Sequence, residues 1–546
     1  MKKYILLIAA IVLLGSSGCK SWMDINHNPN DASASVITMD LLLPAAEYMI
    51  LNNHANSTYS MQLSQYLTKS GEVSGNYTFL SGDIMPQNLD SWWNTYYQMN
   101  SNLKLIYDKA VAQEDPAYQG IALTLLAVNY QRMVDIWQNI PYTQACRPAE
   151  FTQPEYDDGA TIYADLISNM DKAVAAFDAA IGKYDITSLK KADFMAKGDL
   201  EQWKRIAYTI KLRLLMRISN VQDVGAQVAA IADKCLDIYE NVEANPGYYV
   251  ESEKMNIFYE AYGWDKNGGK NDNLRYYVPT SAMVDMLRDN NDPRLRVYVD
   301  PRTTLGNADD QFSNYEKYGL DQEYYVGVPF GQQSPSGIFY TSTTGTGILA
   351  GSSDKANGRI RSSTFISGAE VGFLLAEAAL RGMIPGGDAK AKQYYQDAVK
   401  AAMKRHEKAM QDPSENYGLK GIKDPIPGTA EEAAQAYLTQ NSSFMNWDKM
   451  TGNDQKLAAI CSQKWLSFFG YNMLEGWNEM RRTDLPKLKA SNQAFESKWI
   501  CRCPYPQTER NLNMGNVSKQ PEVDPFNSTV FWDTKNDVIE RTELYL

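Results

Sequence analysis

Apolar residues recur three and four positions apart along most of the chain, and each such run predicts an amphipathic helix with one face turned to a core. The first run covers 39–67, with Pro44 close enough to its start to be tolerated. In 91–112 the pattern is carried by Trp93, Tyr96, Tyr97, Leu103, Ile106, Tyr107 and Ala110. Segments 116–138, 160–180 and 200–219 follow, the last through Trp203, Ile206, Ala207, Ile210 and Leu214. The rhythm returns in 365–381, which stops at Gly382, a fitting cap. It continues in 388–411, where Ala398 and Ala402 stand four apart, and in 457–482, ended near Pro486. Helix–turn–helix units repeated in this way predict a mainly α stack of hairpins.

The pattern breaks between 241 and 362, where Gly, Asn, Asp, Tyr and Pro replace periodic apolar positions. Disordered segments are poor in rings, so the aromatic density predicts an ordered, loop-rich excursion with short hairpins. The chain divides into a leader at 1–18, a polar tether at 19–37, helical hairpins at 38–240, the aromatic insertion at 241–362, a further hairpin at 363–412 and a C-terminal part at 413–546.

At the N-terminus Lys2 and Lys3 precede an apolar run from Tyr4 to Leu14, then Gly15, Ser16, Ser17, Gly18 and Cys19. A basic start, a short apolar stretch and a small-residue exit describe a secretory signal peptide; a membrane span needs about 20 apolar residues. Cys19 directly after the small residues resembles a bacterial lipobox, with Ser16 where a tighter pattern has an aliphatic residue. That reading makes Cys19 the lipidated first residue of a mature chain anchored to a membrane without spanning it. Losing Lys2 and Lys3 takes the net charge from −12 to −14, which gives nucleic acid nothing to bind.

Catalytic and metal motifs are missing from the sequence. There is no H-E-x-x-H, G-x-S-x-G or Walker loop. In the loop that starts at Asp265 of GWDKNGGK, Lys270 and Tyr276 occupy positions where an EF-hand needs glycine and a bidentate Glu, so no cofactor is expected and a structural calcium ion has no motif behind it. Of three histidines, His27 lies in the tether, while His54 and His406 fall on helices as surface or packing residues. Cys146, Cys235, Cys461, Cys501 and Cys503 lack the spacing of a zinc site or a disulfide framework and read as small hydrophobes. Sixty-five carboxylates leave a two-carboxylate glycosidase open, although no pair stands out.

Aromatics are the informative chemistry: 35 Tyr and 11 Trp beside 16 Phe. A flat ring presents an apolar face to the C–H face of a sugar, with Asn beside it for the hydroxyls. Candidate platforms are Trp92 with Asn94, then Trp264, Tyr276, Tyr277, Tyr324, Tyr325, Phe330 and Tyr340; Trp93 fits the buried face of its helix.

Six segments in order behind the lipobox carry a resemblance: DINHNPN at 24–30, WWNTYYQMNSNL at 92–103, NDPRLRVYVDP at 291–301, GAEVGFLLAEAALRG at 368–382, EGWNEMRRTDLP at 475–486 and RCPYPQTERNLN at 502–513. Together they resemble the SusD/RagB-like outer-membrane lipoproteins, in their second SusD-like branch. The resemblance implies a right-handed superhelix of about four TPR-like hairpins with an irregular ligand-binding subdomain. It further implies a non-catalytic protein on the outer face of a Bacteroidetes-type outer membrane, partnered with a SusC-like TonB-dependent transporter and capturing a glycan or, in some relatives, a peptide. The shared motifs read as structural, with Arg481 and Arg482 pairing with carboxylates or helix ends, so the resemblance does not identify the ligand.

Overall fold

The computed structural model describes residues 37–55, 58–70, 78–267, 269, 271–300, 325–332, 343–344, 348–349, 358–411 and 428–534. Its principal elements are α1 (Met39–Ala55), α2 (Thr58–Leu63), β1 (Leu67–Lys69), α3 (Asp90–Ala112), α4 (Pro116–Trp137), α5 (Gly159–Ala180) and α6 (Leu200–Ile218). Then come β2 (Asn241–Ala244), α7 (Ile257–Tyr262), β3 (Tyr277–Pro279), α8 (Ser281–Arg288), β4 (Ser363–Ser367), α9 (Gly368–Leu380), α10 (Gly387–Lys404), α11 (Ala430–Leu438), α12 (Asn453–Phe468) and α13 (Met473–Thr483).

Helix starts follow from local chemistry. Asp115 accepts from the amides of Ala117 and Tyr118 ahead of Pro116, Asp158 from Thr161 and Asp199 from Gln202, each satisfying a donor that the first turn leaves unpaired. Gly382, at φ +74°, ends α9 as the sequence predicts, with Met383 N donating to Ala378 O at 2.8 Å. Successive helices pack on one another: α3 on α4, α4 on α5, α5 on α6, and α9 on α10. In the last pair Gly372 lies so close to Ala398 that an added Cβ would come within 2.7 Å of the alanine methyl. The architecture is therefore mainly α and TPR-like.

Three segments differ from the periodicity. The run at 39–67 is two helices and a strand, because Leu67–Lys69 pairs antiparallel with Tyr277–Pro279 far along the chain. Residues 363–367 are strand before α9 begins, held by pairing with 241–244. The tract at 457–482 breaks at Gly470, whose φ of +85° no continuing helix accommodates, and resumes as α13. In the aromatic insertion, the short helices and strands described are ordered; 301–324 and 333–342, with Tyr324 and Tyr340, lie outside the described residues.

The hairpins are bolted together by buried charges. Arg213 of α6 grips Glu370 of α9 at 2.6 and 2.9 Å. Arg482 of α13 grips Glu377 of α9 at 2.7 and 2.6 Å and Glu479 at 2.7 Å, while Lys464 of α12 reaches Glu479 at 2.8 Å. Arg217 of α6 pairs with Glu475 of α13, and Arg294 with Asp292. All these groups are buried. Arg482 thus pairs with carboxylates as expected, and Arg481 lies over the Trp477 ring and donates to Cys501 O at 2.7 Å.

Candidate functional site

The rings singled out from sequence separate into two groups. Trp92 is only 5 % exposed and packs against Tyr59, Tyr96 and Trp137, so it presents no free face; the adjacent Asn94 is exposed on α3. The period of α3 accounts for the difference, since Trp92, Trp93, Tyr96 and Met99 turn inward together. Trp93 is core, as its spacing predicts. Trp264 is buried at 7 %, its ring 5.9 Å from that of Tyr259, and Tyr325 is buried at 3 % with its carbonyl accepting from Arg288 at 3.1 Å. Loop position among glycines does not keep these two rings open, because α7 and α8 supply packing partners that the sequence pattern does not reveal.

Tyr276, Tyr277 and Phe330 are half-buried; Tyr277 lies in the β1–β3 ribbon and the Phe330–Gly331 turn is fastened to that ribbon. The β1–β3 ribbon pairs Lys69 with Tyr277 and Thr68 with Val278, and Ser70 N extends it onto Tyr276 O at 2.8 Å. Thr68 Oγ1 accepts from Gly331 N at 3.1 Å, seating the Phe330–Gly331 turn on the ribbon. From the far side, Asn492 N donates to Phe330 O at 2.9 Å and Gln493 Nε2 to Gly331 O at 2.7 Å. Gly331 stands at φ +74°, and a Cβ there would lie 2.0 Å from Ser491 Oγ, so only glycine allows this clamp. The main chain of the turn is thus fixed on two sides, which limits the backbone ordering that binding would cost there.

Around it lies a shelf. Phe79 stacks on Tyr59 at 4.5 Å between ring centres, and Phe79, Phe330, Ala494, Lys498 and Trp499 border a crevice of about 20 Å³. That volume has room for about one water molecule, so the shelf is a surface for stacking and no deep pocket. Phe495, on the loop that holds Phe330, is 75 % exposed, and its amide donates to Ser81 O at 3.2 Å. Met85, at 48 %, is a second exposed apolar side chain, on the segment that follows Ser81. Burial raises the pKa of Tyr277 and Tyr59, keeping both hydroxyls protonated, and Tyr59 OH donates to Asn88 O at 3.1 Å. Phe79 and Phe495 were not singled out from the sequence. The available signal was an aromatic in a polar stretch, as in SNQAFESK, but one ring without a partner does not define a platform.

His54 and His406 are both buried and held well below the usual histidine pKa, by burial first and then by nearby arginines. His54 stacks on Phe365 and His406 packs edge-on to Tyr298. Both are packing residues. Cys461, Glu377 and Glu479 place ligand atoms within 4.8 Å of one another, but Arg482 and Lys464 already neutralise the two carboxylates, and burial pushes the Cys461 thiol up to about 12. This is a charge network, and a cation would compete there with two resident ones. Cys235, Cys501 and Cys503 are buried, and Cys146 is half-buried.

Comparison with known proteins supports the architecture. A family model described as "SusD-like_2: Starch-binding associating with outer membrane" matches residues 29–506. No curated protein sequence matches the chain. Among solved structures, a SusD homologue from Bacteroides fragilis aligns with a TM-score of 0.70 at 19% identity, over 91% of this chain and 100% of that one. A SusD-like protein from Bacteroides thetaiotaomicron gives 0.69 at 20%, over 92% and 100%. A chitin-binding protein gives 0.65 at 22%, over 91% and 99%. At these identities the structures show a shared fold.

Proposed function

Because the chain belongs to the SusD-like family of outer-membrane-associated nutrient-binding proteins, we propose that it captures an oligosaccharide on the cell surface without cleaving it and delivers it to a SusC-like TonB-dependent transporter. Lipid on Cys19 anchors it in this reading, and residues 20–37 give the fold reach from the membrane. Among the described residues no helix is long and apolar enough to cross a membrane, which fits an anchor of this kind. The observation that carries the reading is the shelf: Phe330 is clamped between the β1–β3 ribbon and the 491–495 loop, and on that loop the Phe495 ring stands mostly in solvent. Rings used in this way give modest increments, about 0.5–1.5 kcal/mol each beyond area burial for ring–ring pairs. Affinities in the millimolar to micromolar range follow, about 4–8 kcal/mol.

Calorimetry against maltooligosaccharides, chitooligosaccharides and neutral oligopeptides tests this. The expected result is binding to a sugar series, weakened roughly two- to tenfold by Phe495→Ala and by Phe330→Ala, with unchanged melting for Phe495→Ala because its ring is mostly in solvent. A peptide isotherm with no sugar isotherm would replace the glycan by a peptide ligand. Release of reducing ends on prolonged incubation would replace binding by hydrolysis.

A further inference from the structure

On another part of the molecule, between β4 and the C-terminal end of α10, lies a cavity of about 630 Å³. Small-molecule sites run from about 300 to 1,000 Å³. Its walls carry four cationic side chains, Arg361, Lys404, Arg405 and Lys408, against two carboxylates, Glu243 and Glu407. Glu407 is already engaged, its Oε1 accepting from Ala430 N at 3.0 Å. Elsewhere in the fold Arg213, Arg217, Arg294 and Arg482 each hold a carboxylate. Among the described residues neither Arg361 nor Arg405 forms an ion pair.

Buried polar atoms in the wall are also left without partners. Arg361 Nε, His406 Nε2 and Tyr471 Oη are all inaccessible and make no hydrogen bond among the described residues; His406 is 7 % exposed and Tyr471 3 %. A buried polar atom left without a partner is costly, and these three belong to residues that line the cavity, so its wall has unused hydrogen-bonding capacity. The field has the matching sign: burial, and then Arg405, depress Arg361 to about 10, and burial with Arg405, Arg361 and Arg294 keeps His406 neutral.

The cations are held in place without being neutralised. Asn256 caps α7 by accepting from Tyr259 N at 3.0 Å, and its side-chain amide donates to Arg361 O and Ser363 Oγ, both at 3.1 Å, while Asn256 N donates to Arg359 O at 2.6 Å. The 359–363 segment is thereby fastened to α7. Arg405 lies over the Tyr471 ring at 4.3 Å and reaches Phe469 O at 3.4 Å. A bare oxyanion would fill little of this volume, since a water's share of the liquid is about 30 Å³. Phe258 and Ile348 add apolar wall, and Ser362 and Thr364 add hydroxyls.

We propose that this cavity is a second binding site, taking an acidic sugar unit, a carboxylate- or sulfate-bearing residue of a saccharide chain, with Arg361 and Arg405 on the anionic group. The sugar part of this assignment rests on the nutrient-binding reading above; the anionic part rests on the cavity alone. Calorimetry on the full-length chain compares a trigalacturonide and a sulfated trisaccharide with the uncharged trisaccharide, inorganic sulfate and triglutamate. The expected result is binding of an acidic saccharide that falls as salt rises, weakened tenfold or more by Arg361→Gln and by Arg405→Gln and partly restored in Arg361→Lys. Melting temperatures of the variants certify folding, and neutral-sugar binding to the shelf stays unchanged in them. Silence from both acidic saccharides overturns the proposal. So does binding that neither glutamine variant alters, or sulfate or triglutamate binding at least as tight. Acidic-sugar binding lost in Phe495→Ala but kept in Arg361→Gln would sink this site and leave the shelf standing. Neutral sugars silent, with acidic ones sensitive to Arg361, would sink the shelf and leave this site.

Discussion

Arg482→Met is expected to cost about 3–5 kcal/mol of stability, the range seen when one partner of a buried ion pair is removed. The methionine leaves Glu377 and Glu479, both nearly inaccessible, with Lys464 shared between them and the partly exposed Arg381 on Glu377. Thermal denaturation of the purified variant reads this as a large drop in melting temperature, accompanied by poor soluble yield. Adding Glu377→Met to Arg482→Met should recover part of the loss, because Lys464 and Glu479 then remain as a matched pair and well-packed apolar groups often replace a buried pair at little cost. A melting temperature within a degree of the parent for Arg482→Met alone would show the pair to be worth nothing net.

The same network sets an acid limit. Burial by itself would raise the Glu377 pKa, but Arg482 and Lys464 outweigh it and hold the carboxyl at about 2, below its ordinary 4.5. A carboxyl depressed on folding contributes stability that is complete above the unfolded value and is lost as pH falls through the folded one. Melting temperature should therefore decline between pH 4.5 and 2, and Glu377→Gln should flatten that part of the profile while lowering its plateau. A Gln variant that keeps the parent slope would assign the acid loss to other carboxylates.

Much of the scaffold was legible because its signals are local. The helices at 90–112, 116–137, 159–180 and 200–218 match the periodic runs to within about two residues, and Gly382 ends α9 where a left-handed residue is needed. Strands of three to five residues carry too few alternations to be read, and β1 and β4 pair with segments more than a hundred residues away. The site was legible in composition and only partly in position. Phe330 borders the shelf's crevice, whereas Trp92, Trp264 and Tyr325 are claimed by neighbours whose proximity depends on tertiary packing. The basic cavity left a sequence signal in RIR at 359–361 and KRHEK at 404–408, two short charge clusters far apart that only the fold brings together. The segments that carry the family resemblance turn out to contain Asp292, Arg294, Glu370, Glu377, Glu475, Glu479 and Arg482, the buried pairs of the frame. Recognition by those motifs therefore reports the scaffold and says nothing of the ligand.

Frame and basic cavity meet at Gly368, the first residue of α9, and Gly368→Ala is the second substitution expected to have a large effect. A Cβ at that position would lie 2.3 Å from Asp237 O and 2.5 Å from the carbonyl oxygens of Ile238 and Glu240. Flexible side chains can yield to a methyl group, but three backbone carbonyls at the entry to β2 cannot move without displacing the strand. Overpacking costs about 1–3 kcal/mol where the core can shift and more where it cannot, so about 3 kcal/mol is expected here. Since β2 pairs with β4, and β4 continues from the 359–363 segment of the cavity wall, the displacement should reach Arg361. The expected result is a lowered melting temperature together with weakened binding of the acidic saccharide, while Phe495-dependent binding at the shelf persists in the folded fraction. Gly372→Ala is the control: its methyl group meets Ala398 and the Ile238 side chain on the hairpin face of α9. It should destabilise without selective loss at the cavity. Equal loss of both binding activities in the two variants would show that the β2–β4 pairing does not transmit strain to the site, and that stability alone governs both.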